Sequence, residues 1–309
     1  MTVQENIKLA PYTTYKIGGP ARYFAKCETD NDVAEALAWA KKNNVPYFIL
    51  GGGSNVLISD NGYKGLVICI KNVDYELNGD VLDADAGAQM SVVVEETASA
   101  GMAGLEWAGG LPGKLGGAIR GNAGAFGGEI KDSIVSVRAM TPDGDIKIFK
   151  SGDCAFSYRS SVFKENPEYI ILSAQFKLKK GKKDELMKKV SELVEWRRTK
   201  HPMEYGNCGS VFKRKSTREV PDNILEKYTD INNAIRDGQV ATAFFIDECG
   251  LKNKRIGGAE VSDKHPNFLI NSTGNACAED VIMLAGTVKS RVLHQFGVNI
   301  EEEIEFVGF

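Results

Sequence analysis

Three segments carry residue types that do chemistry. Gly51-Gly52-Gly53-Ser54-Asn55 sets three consecutive glycines before two small polar residues. Such glycines permit positive φ and bring backbone N–H groups close to a ligand. Successive N–H groups in one turn form an anion-binding nest. A phosphate loop and a tight turn between buried strands both account for this segment. The second segment joins Gly109-Gly110-Leu111-Pro112-Gly113-Lys114-Leu115-Gly116-Gly117 to Gly121-Asn122-Ala123-Gly124-Ala125-Phe126-Gly127, and eleven of residues 101–128 are glycine. Glycine is costly inside helices and strands, so this density favours backbone wrapped around something flat or charged. Arg120 within it either offsets a phosphate or sits in solvent. The third segment, Asn207-Cys208-Gly209-Ser210-Val211-Phe212-Lys213-Arg214, places a serine after a flexible glycine. Most serines in that setting are turn residues, and no G-x-S-x-G elbow is present to mark a hydrolase nucleophile.

Other chemistries are disfavoured. Neither glycine segment is a G-x-G-x-x-G fingerprint or a Walker A loop. His201, His265 and His294 are far apart in sequence and lack metal-ligand spacing. The six cysteines, Cys27, Cys69, Cys154, Cys208, Cys249 and Cys277, include no C-x-x-C pair. A reduced, cytoplasmic protein without a metal is expected. No signal peptide and no run of 18 apolar residues is found, so no membrane span is expected.

The elements that must position these residues are legible by pattern. Thr29-Asp30-Asn31-Asp32 opens a helix carrying Val33, Ala34, Leu37 and Ala38, which ends at Asn43-Asn44. Tyr47–Leu50, Val56–Ile58 and Leu66–Ile70 read as strands, with a turn at Asp60-Asn61-Gly62. The first 75 residues are expected to form one small α/β unit. A helix from about Ser91 to Ala100 follows, with Gly101 as its C′ residue. Ile134–Met140 and Asp145–Phe149 flank the hairpin turn Pro142-Asp143-Gly144. Tyr169–Leu178 is a further strand. Lys183–Lys200 is a charged amphipathic helix expected to link two domains, and Ala278–Phe296 is a helix closed by Gly297. The terminal Glu303-Ile304-Glu305-Phe306-Val307 alternates as a strand does.

Composition fits two globular domains. The 309 residues are 43% hydrophobic and 26% charged, with net charge −3. No broad basic surface is implied, so neither nucleic acid nor membrane is an expected partner.

Seven segments in order resemble the UDP-N-acetylenolpyruvoylglucosamine reductase family. They are Thr13–Ala21, Leu50–Leu57, the Gly109–Gly127 run, Tyr158-Arg159-Ser160-Ser161-Val162-Phe163, Cys208–Phe212, Ile256-Gly257-Gly258-Ala259 and Glu303–Gly308. The resemblance implies an α+β fold. An FAD-binding domain of the vanillyl-alcohol-oxidase type would comprise subdomains 1–75 and 76–185. A C-terminal α+β substrate-binding domain, 186–309, would close over the substrate, with strand 303–307 contributing to the active site. FAD would be bound without a covalent link, because no histidine lies near either loop. Its expected contacts are Gly51, Gly52, Gly53, Ser54, Asn55, Gly109, Leu111, Pro112, Gly113, Gly116, Gly117, Asn122, Ala123 and Gly124.

The reaction implied is NADPH-dependent reduction of UDP-N-acetylglucosamine-enolpyruvate to UDP-N-acetylmuramate, in peptidoglycan precursor synthesis. Hydride from NADPH would pass through FAD to the enolpyruvyl methylene carbon, and C2 would then be protonated. By the same resemblance Arg159 would stabilise carboxylate charge, Glu303 would act at that carboxylate, and Ser210 would donate the proton. Lys213 and Arg214 would assist Ser210 or grip the UDP diphosphate. Tyr158, His265 and Asn267 are further expected substrate contacts. A monomer is expected.

Two departures accompany the match. The chain resembles a shorter form of the family that lacks an extra tyrosine-bearing loop. Lys215–Val240 also looks longer than the usual connection, and Pro221–Asp237 is expected to be a polar helical insert on the surface.

Overall fold

The computed structural model describes all residues from Met1 to Phe309. Local signals produce the first elements. The Thr29 side chain accepts from the Asp32 N–H at 3.1 Å, and the Asp32 carboxylate accepts from the Thr29 N–H at 3.1 Å. This reciprocal cap satisfies two orphan donors and starts the helix Asp30–Lys42. The helix buries Val33, Ala36, Leu37 and Ala40. Strand Tyr47–Leu50 then pairs in parallel with Tyr63–Ile70, Leu50 opposite Cys69. Val3–Lys8, Pro20–Cys27, Tyr63–Ile70 and Tyr47–Leu50 lie in that order in a four-stranded sheet.

A second sheet has five antiparallel strands in the order Ile146–Lys150, Ile134–Met140, Ile170–Lys177, Val81–Asp85, Tyr75–Asn78. The hairpin at Pro142-Asp143-Gly144 closes with Gly144 at φ +91°, a region that favours glycine. Helix Met90–Ser99 ends before Gly101, which takes φ +73°.

The chain divides into two compact units. One comprises Met1–Ile7, Ala21–Gly52 and Lys64–Arg197. Its core includes Val93, Trp107, Leu115, Ile119, Phe163 and Phe176. The other comprises Lys8–Pro20, Gly53–Tyr63 and Arg198–Phe309, around a core that includes Tyr15, Leu57, Phe212, Phe245, Leu284 and Phe296. This differs from boundaries at 75 and 185. Helix Lys183–Lys200 belongs to the first unit as far as Arg197, and two early segments belong with the C-terminal residues. The physical reason is pairing. Val56–Ile58 does not join the first sheet but pairs in parallel with Glu305–Val307.

In the second unit, Arg255–Ile256, Ala259–Val261 and Leu269–Asn271 form an antiparallel sheet. Helix Ala278–Phe296 buries Val281, Leu284, Ala285, Val288, Val292 and Phe296, and Gly297 caps it at φ +67°. The 215–240 stretch corrects the expectation of a surface insert. It holds short helices Asp222–Lys227 and Ile231–Ala234 and the hairpin Ile235–Arg236 with Gln239–Val240. Val220, Ile224, Ile231 and Val240 are buried in this unit's core. These apolar side chains lie among polar residues at spacings that show no single periodicity. No helix of the chain is long and apolar enough to cross a membrane.

Candidate active site

The glycine segments separate into two kinds. A Cβ on Gly52 would lie 2.7 Å from the Gly113 Cα and 3.2 Å from the Lys114 nitrogen. The two backbones touch here, so the two glycine-rich segments form one surface in the first unit. Gly51 and Gly117 are different. A Cβ on Gly117 would meet nothing within 4 Å, and one on Gly51 only the Lys114 Cβ at 4.0 Å. Their missing side chains leave backbone open to a ligand.

Other glycines serve the chain's own packing, which narrows the ligand reading of the whole run. A Cβ on Gly109 would meet the Val190 carbonyl oxygen at 2.9 Å, and one on Gly110 the Arg197 Cδ at 3.0 Å. Both lie against helix Lys183–Lys200. Gly116 lies against Ala86, at 2.9 Å on the same test. The Leu111 N–H donates to the Ala108 carbonyl at 2.8 Å, and Pro112 is exposed.

Asn122 is buried and sits in the left-handed region at φ +38°. Its amide donates to Glu129 Oε2 at 2.9 Å and to the Ser157 carbonyl at 3.0 Å, and its Oδ1 accepts from the Lys131 N–H at 3.2 Å. Its side chain therefore holds the loop. The Ala123 N–H and C=O are likewise bonded, to Ala118 and Ile130. Gly124 offers its carbonyl to the Arg159 guanidinium at 3.1 Å.

Arg159 itself has φ +54°. Few non-glycine residues hold that conformation, and those that do concentrate at functional sites. Reciprocal Ser157–Ser160 backbone bonds of 3.1 and 3.2 Å fix the turn. Lys164 Nζ donates to the Arg159 carbonyl at 2.8 Å. The guanidinium also lies 5.5 Å from the Tyr158 ring centroid. The turn thus aims a permanent cation along the glycine-rich loop.

In the second unit, Gly53 takes φ +62°, and a Cβ there would lie 2.8 Å from the Thr13 Cα. The Thr14 N–H donates to the Gly53 carbonyl at 3.0 Å, and the Thr14 hydroxyl donates to the Asn207 carbonyl at 2.7 Å. Ser54 is half-buried. Asn55 has a structural role as well. Its amide donates to the Glu303 carbonyl at 3.2 Å, and its own carbonyl accepts from the Glu305 N–H at 2.9 Å. It clamps the segment that carries Glu303, which lies just before the strand: the strand expected over 303–307 covers only Glu305–Val307.

The Ser210 segment runs beside residues 301–303, with a bridge between Phe212 and Glu302. The Glu303 N–H donates to the Val211 carbonyl at 2.7 Å, and the Lys213 N–H to the Glu301 carbonyl at 2.9 Å. Asn267 locks the other side: its Oδ1 accepts from the Phe212 N–H at 2.9 Å, and its amide donates to the Phe212 carbonyl at 2.8 Å. Asn267 is therefore a buried splint rather than a free substrate contact. The three consecutive glutamates are resolved as well. Glu301 pairs with Lys213 at 3.5 Å and Glu302 with Lys289 at 2.9 Å. The Glu303 carboxylate acts on the fully buried Cys208 thiol, whose pKa burial raises far above its usual value and Glu303 raises further. Cys208 stays protonated and is no nucleophile.

Of the expected diphosphate grips, Lys213 is held by Glu301, and Arg214 donates to the Gln239 carbonyl at 3.2 Å. His265 and His201, far apart in sequence, meet at 5.4 Å between centroids, and each also packs on Phe268. Burial lowers the His265 pKa to about 4. It is a neutral ring in an apolar cluster. His294 is exposed. No group of three metal-ligating side chains is present.

Two cations escaped the sequence reading. Lys114 is buried in the glycine surface. Arg197, 8% exposed, donates to the Gly109 carbonyl at 2.9 Å and lies 5.1 Å from the Phe126 ring, while one guanidinium nitrogen has no partner. Only their neighbourhood, not their spacing, could have marked them. A Cβ-free backbone face, a buried ammonium and an orphan guanidinium donor fit a large, flat, anionic cofactor such as FAD.

Comparisons with known proteins agree. A family model described as "UDP-N-acetylenolpyruvoylglucosamine reductase, C-terminal domain" matches residues 201–307, and one described as "FAD binding domain" matches residues 21–150. The UDP-N-acetylenolpyruvoylglucosamine reductase of Lactobacillus delbrueckii subsp. bulgaricus is 36% identical over 309 residues, covering 100% of this chain and 96% of its own. That of Lachnoclostridium phytofermentans is 37% identical over 309 residues, covering 98% and 92%. The crystal structure of the enzyme from Thermus caldophilus matches with a TM-score of 0.79 at 30% identity, over 99% of each chain. The fold is accordingly α+β, an FAD-binding domain followed by a C-terminal domain. With full-length relatives at this identity, the chain belongs to the UDP-N-acetylenolpyruvoylglucosamine reductase family.

Proposed function

We propose that this FAD-binding reductase converts UDP-N-acetylglucosamine-enolpyruvate to UDP-N-acetylmuramate with NADPH as donor. The step would serve peptidoglycan precursor synthesis in the cytoplasm. When bound, FAD supplies the hydride that reaches the methylene carbon of the enolpyruvyl double bond. The chain's own residues do the rest. Arg159, a planar permanent cation, offsets the charge that grows on the substrate carboxylate. Glu303 hydrogen-bonds at the same carboxylate. Ser210 gives its proton to C2, which saturates the double bond, and its alkoxide regains a proton from solvent. A serine is a weak acid at its free pKa, so its transfer depends on fixed placement and on neighbours that stabilise the anion.

The observation that carries this reading is the 2.7 Å bond from the Glu303 N–H to the Val211 carbonyl. It supports the reading because the Ser210 segment and the Glu303 segment, just ahead of strand Glu305–Val307, run side by side. Asn267 and Asn55 hold the two from their outer edges.

The test separates two half-reactions under anaerobic conditions. Purified protein should be yellow, NADPH should bleach the flavin absorbance, and the enolpyruvyl substrate should restore it. A protein that takes up no FAD, or whose reduced flavin is not reoxidised by this substrate, refutes the proposal. The second outcome would favour a flavin enzyme acting on another substrate.

A further inference from the structure

Lys114 is 6% exposed, yet nothing in the reaction above uses it. Its Nζ donates to the Ile70 carbonyl. Leu50 and Cys69 are register partners in the parallel pair; Gly51 is the first residue past one strand and Ile70 the last of the other. The ammonium therefore sits at the carboxyl ends of parallel strands, the end at which such sheets collect their ligands. Its backbone is fixed there. Gln89 and Lys114 form a bridge, the Met90 N–H donates to the Gly113 carbonyl at 3.1 Å, and the Leu115 N–H donates to the Ala88 carbonyl at 2.9 Å.

The charge around it is unbalanced. The ionisable groups that act on Lys114 are Lys71, a second cation, and Cys69, a buried thiol whose own pKa is raised by burial. Neither is a carboxylate. A buried ammonium without an anion is costly unless something supplies one. Beside it the Gly51 backbone is open, since a Cβ there would meet only the Lys114 Cβ at 4.0 Å, while Gly52 packs on Gly113 and fixes the loop.

We propose that Lys114 provides the counter-charge for a dinucleotide pyrophosphate lying across Gly51–Gly52. On the reading above, which this inference rests on, that group is the pyrophosphate of FAD. The chain's net charge of −3 offers no general attraction for it, so one desolvated cation held against the loop takes that role.

The test compares flavin-free wild type with Lys114→Gln and Lys114→Met, measuring binding of FAD and of riboflavin by flavin fluorescence. Glutamine keeps a donor for Ile70 but removes the charge; methionine keeps the buried volume. Both variants should lose FAD affinity by about 10- to 100-fold, the range of a charge-assisted bond, while riboflavin, which has no phosphate, binds as it does to wild type. ADP, which carries the same pyrophosphate, should lose affinity for both variants by a factor similar to that of FAD. Unchanged FAD affinity in Lys114→Gln overturns the proposal. So does an equal loss for FAD and riboflavin, which would mark Lys114 as a purely structural residue. Failure of the wild type to bind any flavin would instead refute the functional reading.

Discussion

Gly117→Ala separates the two causes that place glycine in this chain. Gly117 lies inside the helix Leu115–Arg120, and a Cβ there would have no neighbour within 4 Å. Replacing a helical glycine by alanine then gains about 0.5–1 kcal/mol. For a unit of this size that corresponds to a rise of roughly 1–4 °C in melting temperature. The flavin-free variant should therefore be more stable than wild type. If the open face at Gly117 admits FAD, the same methyl group intrudes on it, and overpacking of about 1–3 kcal/mol lowers FAD affinity by about 5- to 150-fold. Opposite signs in the two measurements are the expected signature. Gly116→Ala, one residue earlier, is the contrast. Its Cβ would meet the Ala86 Cβ at 2.9 Å, so the flavin-free protein itself should lose about 1–3 kcal/mol. Calorimetry of the flavin-free proteins and fluorescence titration with FAD give both quantities. A Gly117→Ala protein that binds FAD as wild type does would refute backbone approach at this position.

Other expectations follow from the same geometry. Ser210→Ala should accept electrons from NADPH normally but reoxidise with substrate at least ~10²–10⁴-fold more slowly in stopped-flow absorbance; near-normal turnover would remove Ser210 as proton donor. Asn55→Ala removes the donor to the Glu303 carbonyl; it should lower kcat several-fold while FAD affinity stays within about twofold, and a loss confined to FAD binding would restore Asn55 as a cofactor contact. Asn267→Ala leaves the Phe212 N–H and C=O without their partners; at about 1–3 kcal/mol per buried group, urea unfolding should show a loss of roughly 2–6 kcal/mol, and a loss below 1 would contradict the splint. His265 is held neutral, its pKa lowered to about 4. The unfolded chain takes up that proton near 6.5, so stability falls as pH drops from 6.5 towards 4. Linkage gives about 2 kcal/mol lost between pH 7 and pH 5. His265→Phe should lack that increment, and equal pH slopes in the two proteins would exclude it.

How much the sequence disclosed depended on whether a signal was local. The Thr29–Asp32 cap, the apolar stripe of Ala278–Phe296 and its Gly297 terminator each act within a few turns, and all three elements form where the pattern places them. Val56–Ile58 was legible as a strand, but nothing within it names Glu305–Val307 as its partner. The glycine run was legible as unusual and no further. Close packing on Val190 or Ala86 and close approach of a ligand both require a missing Cβ, so Gly109, Gly116 and Gly117 read alike until their neighbours are known. Asparagines were harder. Asn55, Asn122 and Asn267 each spend their side chain on backbone groups far away in sequence, and composition cannot distinguish such a splint from a ligand contact. The resemblance to the reductase family supplied the roles of Arg159, Ser210 and Glu303, which residue type and spacing alone left open.

The parallel pairing of Val56–Ile58 with Glu305–Val307 sets a schedule for biosynthesis. At ribosomal rates of about 5–20 residues per second, the roughly 250 intervening residues take on the order of 12–50 s to appear. Throughout that interval three fully apolar positions, Val56, Leu57 and Ile58, lack the strand they finally join. All residues of the first unit have been synthesised once Arg197 emerges. Thr14 and Tyr15 of segment 8–20 bond the earlier carbonyls of Asn207 and Leu269, whereas segment 53–63 gains its strand partner only when the last codons are read. Holdase chaperones would find their binding sites there, and a stalled or truncated product would expose them permanently to proteolysis.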